Sequence, residues 1–572
     1  MRKPKVHEVR KITTIKEMLK QSFEIYADKT AVLKKQKSSM PYEPVTFKEV
    51  KQHAWGLGTA LLTLGLSGKR IAVVSENRYE WIISYLAAAN GDTSVAPIDK
   101  ELSGEDIINL VNISEAEAII YSAKVGKKLE GIKEQTKVRV LINMDLEAST
   151  EDEYSLYELV EKGIAAMEAG NDTYDKIEID PEESKILLFT SGTTAFSKGV
   201  ELCHRNIASN LMAMCSMEYI DDDDVFLDVL PIHHTYESTC GILVPLYRGS
   251  TIAMCDGLKY IPKNLAEAKV TVMLGVPAIF EIMYKRIWAT VRSKNMESKL
   301  KKGLKISNAL RKVGIDKRRK LFSSIHENFG GKVRLFVCGA AAVDPEVAKG
   351  YRDLGIDFIQ GYGITECAPI VTLNSTNCFK DHAAGLPLAC CEVKIDNPNS
   401  EGVGEIICKG DNVMLGYYKN PEATAEVMKD GWFHTGDLGY IDKDGFIIIS
   451  GRKKNIIIAK NGKNVYPEEL ETFIGKSEYV SECMVYAHEA EDGETQIYAQ
   501  IYPNFEALKL KLGENPDSAK VQELMESIVA EVNSRNPVWK YIRKTIVRSE
   551  EFEKTTTKKI KRYVEIKKAE NK

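Results

Sequence analysis

The sequence of 572 residues has few of the marks of a secreted, zinc-binding or membrane-spanning protein. Its 11 cysteines are an odd number, none of them forms a C-x-x-C pair, and its nine histidines include no H-E-x-x-H motif. This pattern indicates reduced thiols rather than a disulfide framework or a zinc site. No apolar run approaches the roughly 18 residues that a membrane-spanning helix needs.

The chain also lacks an excess of charge of either sign, with a net charge of −4. Such a balance gives no overall attraction to nucleic acid, and we expect no nucleic-acid partner. The first eleven residues, MRKPKVHEVRK, are basic but lack the apolar segment of a secretory signal. Together with the reduced cysteines, these features predict a cytoplasmic protein.

What the sequence does contain is an alternation of strand-like and helix-like segments from about residue 45 onward. A βαβ rhythm of this kind favours largely parallel sheets covered by helices. After Pro387 the segments become short strands separated by turns. We therefore predict an α/β protein whose large N-terminal domain, residues 1–451, ends in a small β subdomain over about 383–451.

A short charged segment, Arg452-Lys453-Lys454, follows this region. The sequence beyond it has a different make-up, with two longer strands between two helical segments. We predict a hinge at 452–454 and a small, mobile α+β domain over 455–572. A simple surface turn at 452–454 is the alternative.

The stretch from Lys185 to Gly199 is rich in hydroxyl groups. A strand-like run, residues 186–189, leads into five hydroxylic residues, two glycines and Lys198. Backbone N–H groups and hydroxyls in such a loop can surround the oxygens of a polyphosphate. The spacing does not match the P-loop motif, which requires Gly-Lys-Ser/Thr after four intervening residues. An ordinary Ser/Thr/Gly turn is the alternative.

Small or acidic residues follow two other strand-like segments, at 339–342 (GAAA) and 360–366 (QGYGITE). Small residues after a strand allow a flat base to lie against the backbone, although close helix–strand packing would explain them equally well. A carboxylate such as that of Glu366 is the ligand that Mg²⁺ prefers where it bridges phosphate oxygens.

The C-terminal third holds two more segments of interest. Asp437, within WFHTGDLG (432–439), could accept hydrogen bonds from two neighbouring hydroxyls or occupy a turn between strands. The basic run KTTTKKIKR (554–562) would by itself be taken for a solvated chain end.

Taken in order, these segments resemble the signatures of the adenylate-forming, or AMP-binding, enzyme superfamily. TSGTTAFSKGV (190–200) is similar to T-S-G-T-T-G-x-P-K-G-V, and KTTTKKIKR is similar to K-T-x-S/T-G-K-I-x-R. Three positions, Ala195, Ser197 and Lys558, depart from these patterns. Within the superfamily, the segment RYEW (78–81) and a basic insertion make the chain most similar to long-chain fatty acyl-CoA synthetases.

This resemblance implies an acid–thiol ligase that uses ATP, Mg²⁺ and coenzyme A. A carboxylic acid, for which a medium- or long-chain fatty acid is expected, would react with ATP to give acyl-AMP and then with the thiol of coenzyme A. The implied ATP- and AMP-binding residues are Thr190, Ser191, Gly192, Thr193, Thr194, Lys198, Gly339, Ala340, Ala341, Gln360, Gly361, Tyr362, Gly363, Asp437 and Arg452.

The resemblance also implies roles in catalysis and motion. The implied catalytic residues are Lys559, Thr365, Glu366 and His234, with Glu366 as the Mg²⁺ ligand. Lys454 falls on the hinge position, and Gly462 and Lys463 would line a channel for coenzyme A.

Three alternatives stay open at this point. The acyl acceptor could be an acyl carrier protein, or the chain could be a nucleotide-binding homologue in which Ala195, Ser197 and Lys558 have weakened catalysis. A phosphate-loop NTPase would hydrolyse ATP without a carboxylic acid, but the loop spacing argues against it.

One local charge run stands apart from these motifs. Between residues 299 and 320 there are ten Lys or Arg residues and one acid, Asp316, and Leu300, Leu304, Leu310 and Val313 could share one helix face. A solvated basic helix, contact with an anionic membrane surface and contact with an acidic carrier protein all fit this pattern.

Overall fold

The computed structural model of the chain describes residues 4–190, 198–459, 463–489, 495–555 and 559–570. Within these ranges the α/β fold class predicted from the sequence is confirmed, with large mixed sheets that are mostly parallel and a β-rich C-terminal region. None of the helices in these ranges combines the length and the apolar character that crossing a membrane requires.

The strands alternate with helices along most of the chain, as the sequence predicted. The strands are β1 (Thr30–Lys34), β2 (Glu43–Thr46), β3 (Lys69–Val74), β4 (Thr93–Pro97), β5 (Ala118–Tyr121), β6 (Val140–Asn143), β7 (Tyr154–Ser155), β8 (Ser184–Thr190), β9 (Lys198–Cys203), β10 (Val225–Asp228), β11 (Thr251–Met254), β12 (Val272–Gly275), β13 (Leu335–Cys338), β14 (Asp357–Gly363), β15 (Ile370–Leu373), β16 (Leu386–Pro387), β17 (Cys391–Asp396), β18 (Gly404–Gly410), β19 (Gly416–Tyr417), β20 (Met428–Lys429), β21 (Trp432–Ile441), β22 (Ile447–Arg452), β23 (Ile457–Ile458), β24 (Asn464–Val465), β25 (Val480–Glu489), β26 (Thr495–Pro503) and β27 (Ile542–Val547).

The α-helices range from single turns to 17 residues. They are α1 (Ile15–Ile25), α2 (Phe47–Thr63), α3 (Tyr79–Ala89), α4 (Gly104–Ser114), α5 (Ala123–Gly126), α6 (Ile132–Gln135), α7 (Leu156–Glu168), α8 (Thr173–Lys176), α9 (His204–Met217), α10 (Val244–Arg248), α11 (Ile261–Glu267), α12 (Pro277–Ser293), α13 (Glu297–Lys312), α14 (Arg318–Leu321), α15 (Ser323–Glu327), α16 (Pro345–Leu354), α17 (Pro421–Val427), α18 (Pro467–Ile474), α19 (Phe505–Leu512), α20 (Ser518–Ser534) and α21 (Arg562–Glu570).

The chain divides into two compact units. The large unit comprises Met1–Val393 and Cys408–Phe433, and the small unit comprises Lys394–Ile407 and His434–Lys572. Strands β17, β18 and β21 run across this division. The hinge that the sequence places at 452–454 concerns a motion, so it stays a prediction, as does the separate β subdomain.

Two sheets form the large unit. The nine-stranded sheet has the order β16-β15-β14-β13-β12-β10-β11-β1-β2, and the eight-stranded sheet has the order β19-β9-β8-β4-β3-β5-β6-β7. In the first sheet the neighbours from β14 to β1 are all parallel. The small unit contains the three-stranded sheet β25-β26-β27 and the short hairpin of β23 and β24.

The nine-stranded sheet is covered on one face by aromatic side chains from α12 and α16. Phe280 of α12 packs against Phe336 of β13, with ring centres 4.9 Å apart, and against Phe358 of β14. Tyr351 of α16 stacks on Phe358 and donates a hydrogen bond to the Phe280 carbonyl oxygen at 2.7 Å. Buried strands that are apolar on both faces are typical of parallel sheets with helices on either side.

Two buried acidic residues lie at and just after the carboxyl end of β10. Asp228 ends this strand, and Glu237 lies in the π-helical segment Tyr236–Leu243. Burial raises the pKa of Asp228 to about 7, while burial and the adjacent Asp228 carboxyl raise the pKa of Glu237 well above its usual value. Asn77 Nδ2 donates to Asp228 Oδ1 at 2.8 Å and to the Leu230 carbonyl oxygen at 2.6 Å. Asn77 therefore joins the end of β10 to the segment that follows it.

This pair predicts a stability that declines as the pH rises. Both acids hold protons more tightly in the folded chain than in the unfolded chain, so the free energy of unfolding falls as pH rises from about 4 through about 7. Replacing Glu237 by Gln removes one of the two titrations and the repulsion between the two carboxylates. Melting temperatures measured from pH 5 to pH 8 should fall less for Glu237→Gln than for the wild type.

The matched control for that measurement is Glu161→Gln, because Glu161 is exposed. Its melting curve should follow the wild type at every pH. Identical pH slopes for the wild type and Glu237→Gln would contradict the raised pKa values assigned to the Asp228–Glu237 pair.

Candidate nucleotide and acyl-transfer site

Three of the predicted site segments of the large unit lie at one edge of the nine-stranded sheet. Because β10, β12, β13 and β14 run parallel, their carboxyl ends meet at the same edge. The segment 231–236 follows β10, Gly339–Ala341 follows β13, and Thr365–Glu366 follows β14. Ligands of open α/β sheets bind outside the carboxyl ends of the strands, so topology brings these three predicted segments to one place.

Gly339 sits where a side chain would not fit. A Cβ atom on this residue would lie 2.8 Å from Tyr236 Cζ, and the Tyr236 hydroxyl donates to the Val337 carbonyl oxygen at 3.1 Å. The next residue, Ala340, has a φ of 71°, a left-handed conformation that residues with a Cβ rarely adopt. Ala340 and Ala341 are exposed. The turn thus presents bare backbone at the sheet edge.

The segment Gln360–Gly363 is held tightly against β15. A Cβ on Gly361 would lie 2.9 Å from the Thr372 carbonyl oxygen, and one on Gly363 would lie 2.3 Å from the Pro369 carbonyl oxygen. Gln360 Nε2 donates to the Asp381 carbonyl oxygen at 2.8 Å, so its amide group is engaged with the protein backbone. Tyr362 is buried.

The hydroxyl-rich loop lies between β8 and β9 of the eight-stranded sheet in the chain. Strands β8 and β9 are antiparallel, and Thr190, the last residue of β8, faces Lys198, the first residue of β9. The predicted phosphate-binding residues Ser191, Gly192, Thr193 and Thr194 lie outside the described residues, as do the departures at Ala195, Ser197 and Lys558 and the channel residue Gly462.

Tyr417 connects the two halves of this site, although no sequence motif singled it out. It lies on β19, which pairs with β9. The Lys198 ammonium nitrogen lies 4.6 Å from the centre of the Tyr417 ring, and the Tyr417 hydroxyl donates to Glu366 Oε1 at 2.9 Å. Strand β9 also packs against the 3₁₀ turn Thr365–Cys367. The base of the hairpin and the acidic turn are therefore neighbours.

The Glu366 carboxylate fits the expected Mg²⁺ ligand. It is half-buried, and its backbone oxygen accepts a hydrogen bond from Met414 N at 2.8 Å. Among the described residues, its side chain accepts only the bond from Tyr417, which leaves Oε2 available. A fixed carboxylate oxygen is a suitable ligand for this hard cation.

The two adjacent histidines differ in their surroundings. His234 Nδ1 accepts a hydrogen bond from Tyr236 N at 3.2 Å, and its backbone oxygen caps the first turn of the following helix. His233 Nε2 lies 3.5 Å from Asp99 Oδ2, and burial lowers the pKa of His233. A catalytic role for His234 stays a prediction.

The small unit contains the remaining predicted site residues. Asp437 of β21 and Arg452 of β22 are directly paired across the two strands. Arg452 Nε lies 2.7 Å from Asp437 Oδ1, and Arg452 Nη1 donates to the Thr435 carbonyl oxygen at 3.3 Å. Asp437 is buried whereas Arg452 keeps part of its guanidinium in solvent. This geometry fixes a carboxylate and a cation side by side.

The charges of Arg452 and Asp437 both act on the pKa of the Lys559 amine. Surrounding protein atoms and the Arg452 guanidinium lower the pKa of the Lys559 amine, and the Asp437 carboxylate acts in the opposite direction. The residue as a whole nevertheless retains an exposed surface. Its backbone is fixed by Thr555 N, which donates to the Lys559 carbonyl oxygen at 2.7 Å.

Arg562 anchors this C-terminal segment, a role that the sequence motif did not reveal. Its Nη1 donates to Glu471 Oε1 of α18 at 2.6 Å. Lys454 lies in the 3₁₀ turn Lys453–Asn455, and burial followed by Arg452 lowers the pKa of its amine. Lys463 Nζ lies 5.2 Å from the Trp539 ring centre, next to the β23–β24 hairpin.

The Tyr417 bridge leads to a testable prediction. Tyr417→Phe keeps the ring beneath Lys198 but removes the hydrogen bond that orients Glu366. We expect the Mg²⁺ concentration for half-maximal acid-dependent ATP turnover to rise about tenfold, the cost of one charge-assisted hydrogen bond. Titration of Mg²⁺ at saturating ATP measures this effect.

Tyr418→Phe is the matched control for this experiment. Its hydroxyl donates to Glu115 Oε2 at 2.9 Å, away from Glu366, so its Mg²⁺ dependence should equal that of the wild type. An unchanged Mg²⁺ dependence in Tyr417→Phe would remove Tyr417 from the positioning of Glu366.

Comparison with known proteins identifies the class to which this chain belongs. The sequence profile of the AMP-binding enzymes matches residues 19–418. The chain is 30% identical to fatty acyl-CoA synthetase A of Dictyostelium discoideum over 526 residues, which cover 86% of this chain and 77% of that protein. It is 29% identical to human long-chain-fatty-acid–CoA ligase 1, over 88% of this chain and 76% of the human protein.

A solved structure of similar fold extends over nearly the whole chain. The anthranilate CoA ligase AuaEII, crystallised with anthranoyl-AMP, superposes with a TM-score of 0.77 and 18% identity, covering 99% of this chain and 98% of the ligase. The chain belongs to the AMP-binding enzyme family.

Proposed function

We propose that this chain is an AMP-forming acyl-CoA synthetase, an acid–thiol ligase that activates a fatty acid with MgATP and transfers the acyl group to coenzyme A. The Lys198–Tyr417–Glu366 arrangement is the observation that carries the proposal, because it joins the base of the hydroxyl-rich loop to the candidate Mg²⁺ ligand. The relatives that bear fatty acyl-CoA synthetase names support the same conclusion.

In the first half-reaction, an oxygen of the fatty-acid carboxylate attacks the α-phosphorus of ATP. A P–O bond forms to the acid as the P–O bond to pyrophosphate breaks, which yields acyl-AMP. Lys198 and the hydroxyls of the loop would bind the phosphate oxygens, and Glu366 would hold Mg²⁺, which supplies charge neutralisation on those oxygens. The hydroxyl of Thr365, beside Glu366, would donate a hydrogen bond to a phosphate oxygen.

The small unit would complete this step. Asp437 would accept hydrogen bonds from the ribose hydroxyls, and Arg452 would stabilise Asp437 in the required position. The Lys559 ammonium would reduce the repulsion between the carboxylate and the α-phosphate as negative charge develops. No nucleophile from the protein is required, because the fatty-acid carboxylate is itself the nucleophile and the protein contributes alignment and charge stabilisation.

In the second half-reaction, the thiol sulfur of coenzyme A attacks the acyl carbonyl carbon. A C–S bond forms, the C–O bond to AMP breaks, and the thiol proton passes to solvent. Rotation about Lys454 would withdraw Lys559 and bring Lys463 toward the thiol path. Hinge residues of this kind absorb changes in φ and ψ during domain motion.

The two half-reactions give a test of these roles. Lys559→Ala should lower adenylate formation, measured as carboxylate-dependent pyrophosphate exchange, by a factor on the order of 10²–10³. Thioester formation from supplied acyl-AMP and coenzyme A should stay within about twofold of the wild type, because Lys559 has no part in that step.

Lys561→Ala is the control, since Lys561 pairs with Glu553 at 2.9 Å and should leave both half-reactions intact. An equal loss of both half-reactions in Lys559→Ala would refute the separation of roles. The absence of pyrophosphate exchange with every carboxylic acid tested would favour a catalytically weakened homologue. A strong preference for a holo carrier protein over coenzyme A would favour the carrier protein as the acyl acceptor.

A second proposal concerns the basic surface of residues 299–320, for which we infer contact with an anionic membrane. Helix α13 places Leu300 and Leu304 against the core of the large unit. Val313, which the sequence grouped with them, is instead 70% exposed because the helix ends at Lys312. Ile306, at 57%, is also exposed.

Most of the charge on this surface lacks a counterion. Six lysines of the segment have no acidic partner among the described residues: Lys299, Lys302, Lys305, Lys312, Lys317 and Lys320. Exposed aliphatic side chains among unpaired lysines are typical of a surface that lies on anionic lipid headgroups. A helix that contacts only solvent would have no need of exposed aliphatic residues such as Ile306 and Val313.

Co-sedimentation with vesicles tests this surface. Wild-type protein should bind vesicles containing phosphatidylglycerol but not pure phosphatidylcholine vesicles, with binding that weakens as salt rises. Charge reversal at Lys302, Lys305 and Lys312 should reduce binding tenfold or more, because each lysine near the surface contributes about 1 kcal/mol.

The same reversal at the exposed Lys48, Lys51 and Lys127 is the control and should leave vesicle binding largely unchanged. Equal binding by both triple variants would contradict the membrane assignment. Loss of affinity for an acidic carrier protein, without loss of vesicle binding, would assign the surface to that partner instead.

A further inference from the structure

A narrow apolar cavity runs along the face of the nine-stranded sheet opposite Phe336 and Phe358. Its walls come from β10, β12, β13 and β14 on one side and from α9 and the π-helical segment 236–243 on the other. One end is bounded by Tyr236, Gly339 and Gly361, which belong to the candidate site. The cavity therefore begins where the reacting carboxylate is expected.

The length of the cavity follows from the residues of β13 that line it. On β13 the lining extends from Gly339 back to Leu335. Four residues of a parallel strand span about 13 Å at a rise of about 3.3 Å per residue. With carbon–carbon bonds of about 1.5 Å in a zigzag, an extended alkyl chain of about ten carbons has that length.

Glu218 lies at the end of the cavity away from the candidate site, and it is the one charged side chain among the described residues that line the cavity. This residue follows the last turn of α9 and is only 5% exposed. Its Oε2 accepts a hydrogen bond from Thr376 N at 2.8 Å, and its Oε1 accepts one from Thr376 Oγ1 at 3.2 Å. Burial raises the pKa of Glu218 to about 7, against those hydrogen bonds.

A second polar layer lies beyond Glu218. Arg334 Nε donates to Asp224 Oδ1 at 2.7 Å, and Arg334 Nη2 donates to the Tyr219 carbonyl oxygen at 3.0 Å. Asp224 Oδ1 also accepts a hydrogen bond from Thr271 Oγ1 at 2.7 Å. An alkyl chain that passed Glu218 would have to break some of these buried hydrogen bonds without replacing them, which is costly.

We infer that Glu218 closes the acyl cavity and limits the substrate to unbranched medium-chain acids of about eight to ten carbons. The inference rests on the proposed function and adds a chain-length limit to it. Glu218 does not contact the reacting atoms, and its role is to determine specificity. A long-chain acid would need a longer cavity, so this limit would distinguish the chain from the relatives whose names specify long-chain acids.

The test is a chain-length series of saturated acids from six to eighteen carbons, assayed for thioester formation with coenzyme A below their micelle concentrations. For the wild type, kcat/KM should rise about fourfold per added methylene up to eight to ten carbons, since each buried methylene contributes about that factor. It should then fall at least tenfold by fourteen carbons.

Variants locate the limit at Glu218. Glu218→Ala removes the barrier and should move the optimum upward by two or more carbons, whereas the equally large Glu218→Gln should retain the wild-type cutoff. Cys240→Leu, which places a larger side chain in the cavity lining, should move the optimum downward. This variant keeps the inference testable if Glu218→Ala does not fold.

Three outcomes would overturn the inference. They are equal activity of the wild type on ten- and sixteen-carbon acids, an unchanged profile in a folded Glu218→Ala, and an unchanged profile in Cys240→Leu. The absence of thioester formation with every acid tested would instead count against the proposed function, so the two failures are distinguishable.

Discussion

The hydrogen bond from Tyr417 to Glu366 is the contact on which the candidate site of the large unit depends. Tyr417 belongs to a two-residue strand on the edge of one sheet, and Glu366 follows a strand of the other sheet. By placing its ring against Lys198 and its hydroxyl against Glu366, this residue holds a cation and a carboxylate at a defined separation. A polyphosphate with a bound divalent cation requires both charges in one place.

The parallel arrangement of β10, β12, β13 and β14 supplies the rest of that site. Parallel strands all end at the same edge, so segments more than a hundred residues apart in the chain converge there. The same arrangement explains the acyl cavity, since alternate residues of β13 and β14 face opposite sides of the sheet. Phe336 and Phe358 fill the core beneath one face, whereas Leu335 and Ile359 line the cavity on the other.

Much of this organisation was predictable from the sequence, because short apolar segments alternate with helical ones and the signature motifs directly follow strands. Ser103 directly precedes α4, a position at which serine is a preferred cap, and its Oγ accepts a hydrogen bond from Asp106 N at 3.1 Å. Tyr417, Arg562 and Glu218 were not predictable in the same way. Each acts through a partner 51 to 158 positions away, at Glu366, Glu471 and Thr376 respectively, and no local pattern encodes such a pairing.

In the proposed reaction, a carboxylate oxygen becomes bonded to the α-phosphorus of ATP. Turnover with a fatty acid labelled with ¹⁸O in both carboxylate oxygens, followed by mass spectrometry of the AMP, measures this bond directly. The proposed reaction predicts one ¹⁸O atom in each AMP and none in pyrophosphate. Unlabelled AMP, or ADP and phosphate as products, would contradict it.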